Sequence, residues 1–90
     1  MPTVRIPTPL RNLTEGRNKV EVSAGTIGQM LQQLEHDHPG FKVRLLDEGG
    51  ELRRFVNIYV DGEDIRFREG FDTPLTDANE VSIVPSVAGG

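Results

Sequence analysis

The pattern of hydrophobic and polar positions changes along this chain, and each change marks a different kind of element. Near the start, Val4 and Ile6 alternate with polar residues, and Val20 and Val22 do so again after a polar stretch. Alternation of this kind predicts two short strands that each bury one face. The polar stretch over 10–18, with its Glu-Gly turn signal, predicts the loop of a long antiparallel hairpin.

A helical period follows the predicted hairpin. The apolar residues now recur at intervals of three and four, at Ile27, Met30, Leu31 and Leu34. This spacing predicts an amphipathic helix with one buried stripe. Thr26 is placed to be its N-cap and Gln29 its capping-box partner, while Pro39 and Gly40 end the helix. Apolar spacing over 41–46 predicts a short second helix.

Strand-like sequence returns in the second half of the chain. The run over 55–60 is rich in β-branched and aromatic residues and ends at the turn pair Asp61 and Gly62. A brief return strand is predicted over 65–67 and a last strand over 81–84. This order predicts an α+β domain with a mixed sheet and one main helix packed across one face, the β-grasp or ubiquitin-like architecture. A ferredoxin-like fold is the alternative, but the predicted second helix is too short for it.

Composition narrows the class of function. The 90 residues hold 10 Lys and Arg against 14 Asp and Glu, a formal net charge of −4, which argues against nucleic acid and membrane as partners. The absence of cysteine excludes disulfides, thiolate metal sites and a cysteine nucleophile. With no apolar leader and no membrane-length apolar run, we expect a protein of the reducing cytoplasm. The length allows one domain, over 1–85, followed by a flexible tail over 86–90.

Residues capable of catalysis or metal binding are present, but their spacing predicts no site. His36 and His38 are two apart at a helix end, where side chains do not face each other. Asp61, Glu63 and Asp64 lack the ligand spacing of a calcium loop. No phosphate-binding glycine loop is present, and the apolar residues are all needed for one core. We therefore expect neither a metal site nor an enzyme active site in this chain.

The last four residues of the sequence contain the remaining candidate for a reactive group. Gly89 and Gly90 have no Cβ, Ala88 is nearly as slim, and Val87 supplies a single apolar anchor. Such a segment can pass through a channel too narrow for larger side chains. The carboxylate of Gly90 is then the candidate reactive group. By composition alone, a frayed terminus has the same appearance.

Three segments of the chain resemble the ubiquitin-like sulfur carriers of the MoaD/ThiS family. They are the start at 4–7, the middle block at 54–60 with 63–67, and the Val-Ala-Gly-Gly ending at 87–90. In order and spacing the resemblance covers nearly the whole chain. It is strongest to the CysO-type carriers of cysteine biosynthesis. Ser86 is a departure, since relatives usually have proline or alanine there.

The resemblance implies a carrier protein rather than an enzyme. A partner activating enzyme of the MoeB/ThiF type would adenylate the Gly90 carboxylate with its own ATP and Mg²⁺, and a sulfur donor would convert it to a thiocarboxylate. Val87, Ala88 and Gly89 would thread into the partner, and the carrier itself would bind no cofactor. The sulfur would pass to a PLP-dependent cysteine synthase, and a zinc peptidase would release the product.

Three alternatives stay open from the sequence. The same chemistry could feed the large subunit of molybdopterin synthase, for which this chain would be the small subunit. Gly90 could instead be joined to lysines of other proteins, as in ubiquitin-like modifiers. The chain could also be a plain interaction module with an inert tail.

The strand over 55–60 also predicts a partner-binding surface. By pleat alternation its even-numbered residues face the helix. Phe55, Tyr59 and, on the last strand, Val84 then form an outward apolar patch near the root of the tail. Exposed apolar patches of this kind mark partner sites. Coverage of the patch by the loop at 47–53 or by a second copy of the chain is the alternative.

Overall fold

A mixed sheet of five strands forms the framework of the protein. The structure is a computed structural model, and it describes residues 1–85. The strands are Thr3–Arg5 (β1), Lys19–Glu21 (β2), Val56–Val60 (β3), Glu63–Asp64 (β4) and Glu80–Pro85 (β5). They lie side by side in the order β2-β1-β5-β3-β4. β1 and β5 are parallel and the other neighbouring pairs are antiparallel, so the predicted hairpin and mixed sheet are confirmed.

The main helix, α1, spans Ile27–Asp37 and begins where the sequence predicts. The Thr26 hydroxyl accepts a hydrogen bond of 3.2 Å from the Gln29 N–H, which satisfies a donor at the helix start. Gln29 Oε1 accepts in turn from the Gly25 N–H at 2.8 Å, one residue before the donor of an ordinary capping box. The second helix, α2, spans Phe41–Leu45 and is as short as expected.

The core lies between α1 and one face of the sheet. The inward residues of β3 have at most 1% of their surface exposed, and these are Val56, Ile58 and Val60. They belong to one apolar cluster with the buried stripe of α1, formed by Ile27, Met30, Leu31 and Leu34. The predicted assignment of β3 residues to the inner face is therefore confirmed. A single main helix across one face of a mixed sheet is the β-grasp arrangement.

The segment after the Asp-Gly turn differs from its prediction. The turn residues at 61–62 both have positive φ, 49° and 88°, which makes the tight hairpin turn. The return strand is only Glu63–Asp64, whereas Ile65–Phe67, predicted as that strand, forms a 3₁₀ helix. The Asp64 carboxylate accepts from the Arg66 N–H at 2.8 Å. This local side-chain bond competes with strand pairing and turns the chain out of the sheet.

The long hairpin loop packs against the start of α2. It contains a 3₁₀ helix over Thr8–Thr14 that the polar sequence does not predict. A Cβ on Gly40 would lie 2.8 Å from Leu13 Cδ2, and Gly40 has a φ of +117°. The loop and α2 approach this closely because glycine has no side chain and tolerates that φ. Gly28, in α1, faces Phe71 rather than the sheet.

Candidate functional site

The predicted reactive group and its tether lie outside the described residues. These are Gly90, expected to hold the reactive carboxylate, and the threading residues Val87, Ala88 and Gly89. The structure does describe the residue from which they depart, Pro85, at the end of β5. The candidate site is therefore the surface around Pro85, which we call the tail root.

The tail root is held in the centre of the sheet. Pro85 lies opposite Val56 in the antiparallel pair of β3 and β5, and Val84 lies opposite Asn57. On its other side β5 pairs with β1, where Ser82 lies beside Arg5. β5 therefore has neighbours on both sides up to Ser82, and β3 alone pairs with its last residues, which fixes the position of Pro85.

Two clefts flank Pro85. The β1 cleft has a volume of about 380 Å³, and its lining includes Arg5, Arg11, Ile83, Val84 and Pro85. The α2 cleft has a volume of about 320 Å³, and its lining includes Val43, Arg44, Arg53, Phe55 and Pro85. Both combine apolar side chains with arginines, and no Asp or Glu lines either of them. This mixture is typical of surfaces that bind other proteins.

The structure divides the predicted apolar patch between the two clefts. Phe55 and Val84 are 50% and 43% exposed, and Phe55 lines the α2 cleft while Val84 lines the β1 cleft. Tyr59 is half-buried, lies opposite Ser82 on the outer face of the sheet and lines neither cleft. Phe55 precedes the first residue of β3, so the prediction that it belongs to the strand is wrong. The alternation of side chains along the strand therefore does not determine which face Phe55 lies on.

Arg66 supports the tail root from the side, and sequence reasoning missed it. Its Nη1 donates to Asn57 Oδ1 at 2.7 Å and its Nη2 to the Val56 carbonyl at 2.8 Å. Its guanidinium also lies 3.7 Å from the Asp64 carboxylate. Because Val56 and Asn57 face Pro85 and Val84 across the sheet, Arg66 holds the strand that positions the tail root. No local pattern around Arg66 signals this contact.

The acidic cluster near the hairpin turn has a structural role. The Asp61 carboxylate accepts from the Glu80 N–H at 3.0 Å and from Asn79 Nδ2 at 2.6 Å. These two hydrogen bonds lower the pKa of the Asp61 carboxyl below its ordinary value. The N-terminal ammonium, which bonds Asp77 at 2.8 Å, likewise lowers the pKa of that carboxyl. Both groups lie at the end of the sheet opposite Pro85.

The histidines and carboxylates of the described residues lie apart from one another. Among residues 1–85, no three His, Asp or Glu side chains come close enough together to hold a metal ion. His38 packs edge-on against Phe41, with ring centroids 6.5 Å apart. In the same part of the chain, none of the helices combines the length and hydropathy of a membrane span.

Comparisons with known proteins identify a family. The profile of the ThiS family matches residues 4–90. The sulfur carrier protein CysO of Mycobacterium tuberculosis is 47% identical over 90 residues, which cover 98% of this chain and 97% of that protein. A chain in the crystal structure of the Amycolatopsis orientalis BexX/CysO complex matches with a TM-score of 0.92 at 41% identity, over 100% of both chains. The small archaeal modifier protein 3 of Haloferax volcanii is 37% identical over 65 residues, 72% of this chain and 70% of that protein.

These likenesses agree with the fold and with the resemblance seen in the sequence. The structural match spans both chains entirely, which confirms the β-grasp fold. The resemblance to sulfur carriers, drawn from three separate segments of the sequence, is confirmed over nearly the whole length. Proteins of this kind are small carriers rather than enzymes. The chain belongs to the ThiS family, as a homologue of the sulfur carrier proteins named CysO.

Proposed function

We propose that this protein carries sulfur as a thiocarboxylate on Gly90 and delivers it for cysteine biosynthesis. The observation that supports this most directly is the 47% identity to the sulfur carrier protein CysO over 98% of the chain. The Gly-Gly ending at 89–90 supplies a carboxylate on a slim tether, which is the group that this chemistry needs. The chain's own part is to present that carboxylate, and partner enzymes perform the reactions.

The proposed chemistry takes place in two steps at the Gly90 carbonyl carbon. A carboxylate has no usable leaving group, so the activating enzyme first uses its own ATP and Mg²⁺. A carboxylate oxygen attacks the α-phosphate, an acyl-adenylate forms, and pyrophosphate leaves. Sulfide then attacks the carbonyl carbon, the bond to the adenylate breaks, and AMP leaves. The product is a thiocarboxylate whose sulfur is a good nucleophile.

The folded domain serves as the handle that partners bind. Five extended residues reach at most ~17 Å beyond Pro85, so Gly90 can enter an active site while the domain stays at its mouth. Phe55 and Val84 flank the tail root with about half of their surface exposed. We infer that these two residues, together with Tyr59, form the partner-binding surface. Val87, Ala88 and Gly89 then follow the channel to the reacting atoms.

The proposed sulfur acceptor is an activated serine derivative held on a PLP-dependent cysteine synthase. The thiocarboxylate sulfur attacks its side-chain carbon, the activating group leaves, and a thioester of Gly90 forms. The amine of the new cysteine then attacks the Gly90 carbonyl carbon, the bond to sulfur breaks, and a peptide bond to cysteine results. A zinc peptidase hydrolyses this bond with one water molecule, which frees the cysteine and regenerates the Gly90 carboxylate. PLP, zinc, ATP and Mg²⁺ belong to the partners in this scheme. We expect these reactions in the cytoplasm, where ATP and reduced sulfur are both supplied.

Intact-mass spectrometry tests the proposal. The full chain is incubated with an adenylating enzyme of its own organism, ATP, Mg²⁺ and sulfide. We expect a mass increase equal to the replacement of one oxygen by one sulfur, localised to Gly90 by fragmentation. A chain that lacks Gly90 is the matched control and should gain no sulfur. A full chain that stays unmodified with every adenylating enzyme of that organism would contradict the proposal.

A second candidate function is conjugation to other proteins. It is favoured by the likeness to the small archaeal modifier protein 3, at 37% identity. In this case the Gly90 carbonyl is joined to a lysine amine of a target instead of receiving sulfur. Immunoblots of cells that express the tagged chain distinguish the two functions. A ladder of high-mass conjugates that survives thiol treatment and disappears without Gly90 indicates a modifier.

The acceptor is tested separately from the carrier. The thiocarboxylate form is offered to a PLP-dependent cysteine synthase and, in parallel, to a molybdopterin synthase large subunit. Loss of the sulfur mass only with the cysteine synthase supports the proposed pathway. Loss of the sulfur mass only with the molybdopterin synthase subunit would show that the carrier serves that pathway instead.

A further inference from the structure

Positive charge is concentrated around the tail root although the chain as a whole is acidic. Arg5 and Arg11 line the β1 cleft, and Arg44 and Arg53 line the α2 cleft. The whole chain has 14 acidic and 10 basic residues, yet no Asp or Glu lines either cleft. Gathering like charges at one end of a domain costs stability in the free protein. A partner of opposite charge would remove that cost.

Three of these arginines have no carboxylate partner among residues 1–85. The guanidinium of Arg5 lies 3.7 Å from the Glu80 carboxylate. By contrast, the ion pairs between described residues include none with Arg11, Arg44 or Arg53. Among residues 1–85, Glu80 beside Arg5 is thus the one carboxylate in an ion pair with these four arginines.

Backbone carbonyls hold two of these guanidinium groups in position. Arg11 Nε donates to the Ile6 carbonyl at 3.0 Å, and Arg53 Nη2 donates to the Val43 carbonyl at 3.1 Å. Each of these bonds uses one of the five N–H donors of a guanidinium and leaves its charge uncompensated. A side chain that is already oriented loses less entropy when it binds a partner.

We propose that the four arginines and the apolar side chains between them form a docking surface for an acidic face of the enzyme that activates Gly90. The identity of this partner rests on the proposed function. Phe55 and Val84 supply the apolar part, one in each cleft, and the arginines surround Pro85 on both sides. Carboxylates of the partner would bind these guanidinium groups with charge-assisted, two-pronged hydrogen bonds. Interfaces of this kind often owe much of their affinity to arginine and aromatic residues.

An acidic protein fits this surface better than a nucleic acid does. The net charge of −4 opposes the approach of a phosphate backbone from a distance. The clefts also expose apolar surface at Val43, Phe55 and Val84, which phosphates cannot use but an apolar protein surface can. Local positive charge combined with apolar side chains therefore indicates an acidic protein face.

Charge reversal at Arg44 tests the docking surface. Arg44 is exposed, and no hydrogen bond or ion pair with another described residue involves its side chain, so Arg44→Glu should leave the fold intact. The matched control is Arg68→Glu, which makes the same charge change beside Glu63, toward the other end of β3. Both variants are first compared with the wild type in urea unfolding. Adenylation is then followed by pyrophosphate exchange at several salt concentrations.

For Arg44→Glu we expect the KM for the carrier to rise about tenfold with kcat within about twofold, because docking is weakened while the chemistry is not. The salt dependence of KM should also become shallower. For Arg68→Glu we expect a KM within about twofold of the wild type. Equal effects of the two variants, or an unchanged KM for Arg44→Glu, would overturn the proposal.

Two further measurements separate the possible failures. Dissociation constants of the same variants for the activating enzyme are measured without ATP. If the wild type binds but gains no sulfur, the proposed function is wrong. The docking surface is then judged on binding alone: weaker binding of Arg44→Glu supports it, and unchanged binding contradicts it. A single-stranded oligonucleotide is titrated in parallel. Tighter binding of the oligonucleotide than of the enzyme, lost in Arg44→Glu, would overturn the assignment to an acidic protein.

Discussion

The Arg66 guanidinium reaches back along the chain to the backbone carbonyl of Val56, to which its Nη2 donates a hydrogen bond of 2.8 Å. Val56 is the residue that faces Pro85 across the sheet. β4 pairs with β3 only at Tyr59 and Val60, so it does not cover this end of the strand. Arg66 thus satisfies a backbone acceptor where the ladder to β4 has ended, and it stiffens the strand beside the tail root.

Replacing Arg66 by methionine should destabilise the domain. The Arg66→Met variant loses the hydrogen bonds to the Val56 carbonyl and to Asn57 Oδ1, and we expect the free energy of unfolding to fall by about 1–3 kcal/mol. Urea unfolding measures the loss. Arg68→Met is the control, because it removes an ion pair to Glu63 at the surface and should cost less than about 1 kcal/mol. Equal losses would contradict the role given to Arg66.

Removal of the N-cap of α1 should lower the free energy of unfolding by less than the loss of the Arg66 hydrogen bonds does. In Thr26→Ala the Gln29 N–H loses the hydroxyl that accepts from it at 3.2 Å, and we expect a loss of about 1 kcal/mol. Thr26→Ser keeps the hydroxyl and should stay close to the wild type. Thermal unfolding followed by circular dichroism compares the three chains. Similar midpoints for the alanine and serine variants would show that the hydroxyl does not stabilise the helix.

Acid should weaken the domain partly through Asp61. The pKa of the Asp61 carboxyl is lowered in the folded protein by the Glu80 N–H and the Asn79 amide, so the unfolded chain binds protons more readily. Its contribution to stability is complete above the unfolded pKa, near ~3.9, and is lost as the pH falls through the lower folded pKa. Asp61→Asn should therefore be less stable than the wild type at about pH 7 and approach it below about pH 3. Urea midpoints across this range test the prediction, and a constant difference would contradict it.

Alanine at Gly40 should be poorly tolerated. Gly40 has a φ of +117° and its added Cβ would lie 2.8 Å from Leu13 Cδ2, so both backbone strain and a clash oppose Gly40→Ala. We expect a loss of about 2–3 kcal/mol in the free energy of unfolding. Gly50→Ala is the matched control, since Gly50 also has a positive φ, +81°, but has open space around it. A control that loses as much stability would show that the contact with Leu13 is unimportant.

The exposed apolar residues at the tail root should matter for binding and not for folding. Phe55→Ala and Val84→Ala should each weaken binding to the activating enzyme by about fivefold or more, because both remove apolar surface from the proposed interface. Tyr59→Glu should also weaken it while the domain stays folded. Phe67→Ala is the control, since Phe67 is 84% exposed but lines neither cleft. Calorimetric titration gives the dissociation constants, and equal changes for Phe55→Ala and Phe67→Ala would contradict a specific surface.

Local sequence patterns were sufficient to predict most of the framework. The strands at β1, β2, β3 and β5, the cap at Thr26 and the hairpin turn at 61–62 follow from residue periods and from turn and cap chemistry that operate within a few positions. The 3₁₀ helix at Ile65–Phe67 was predicted wrongly as a strand. There the bond from the Arg66 N–H to the Asp64 side chain outweighs the weak strand preference of three residues.

The sequence by itself determined the fold class, the inward face of β3 and the candidate reactive end, because these depend on periodicity and on a family resemblance along the whole chain. Only the tertiary structure brought Arg66 to Val56, separated Phe55 from Val84, and gathered the arginines of distant segments around Pro85. The physical reason is that these contacts join residues far apart in the chain. Their positions depend on how the sheet, α2 and the hairpin loop pack together, and this packing cannot be predicted from any short stretch of sequence.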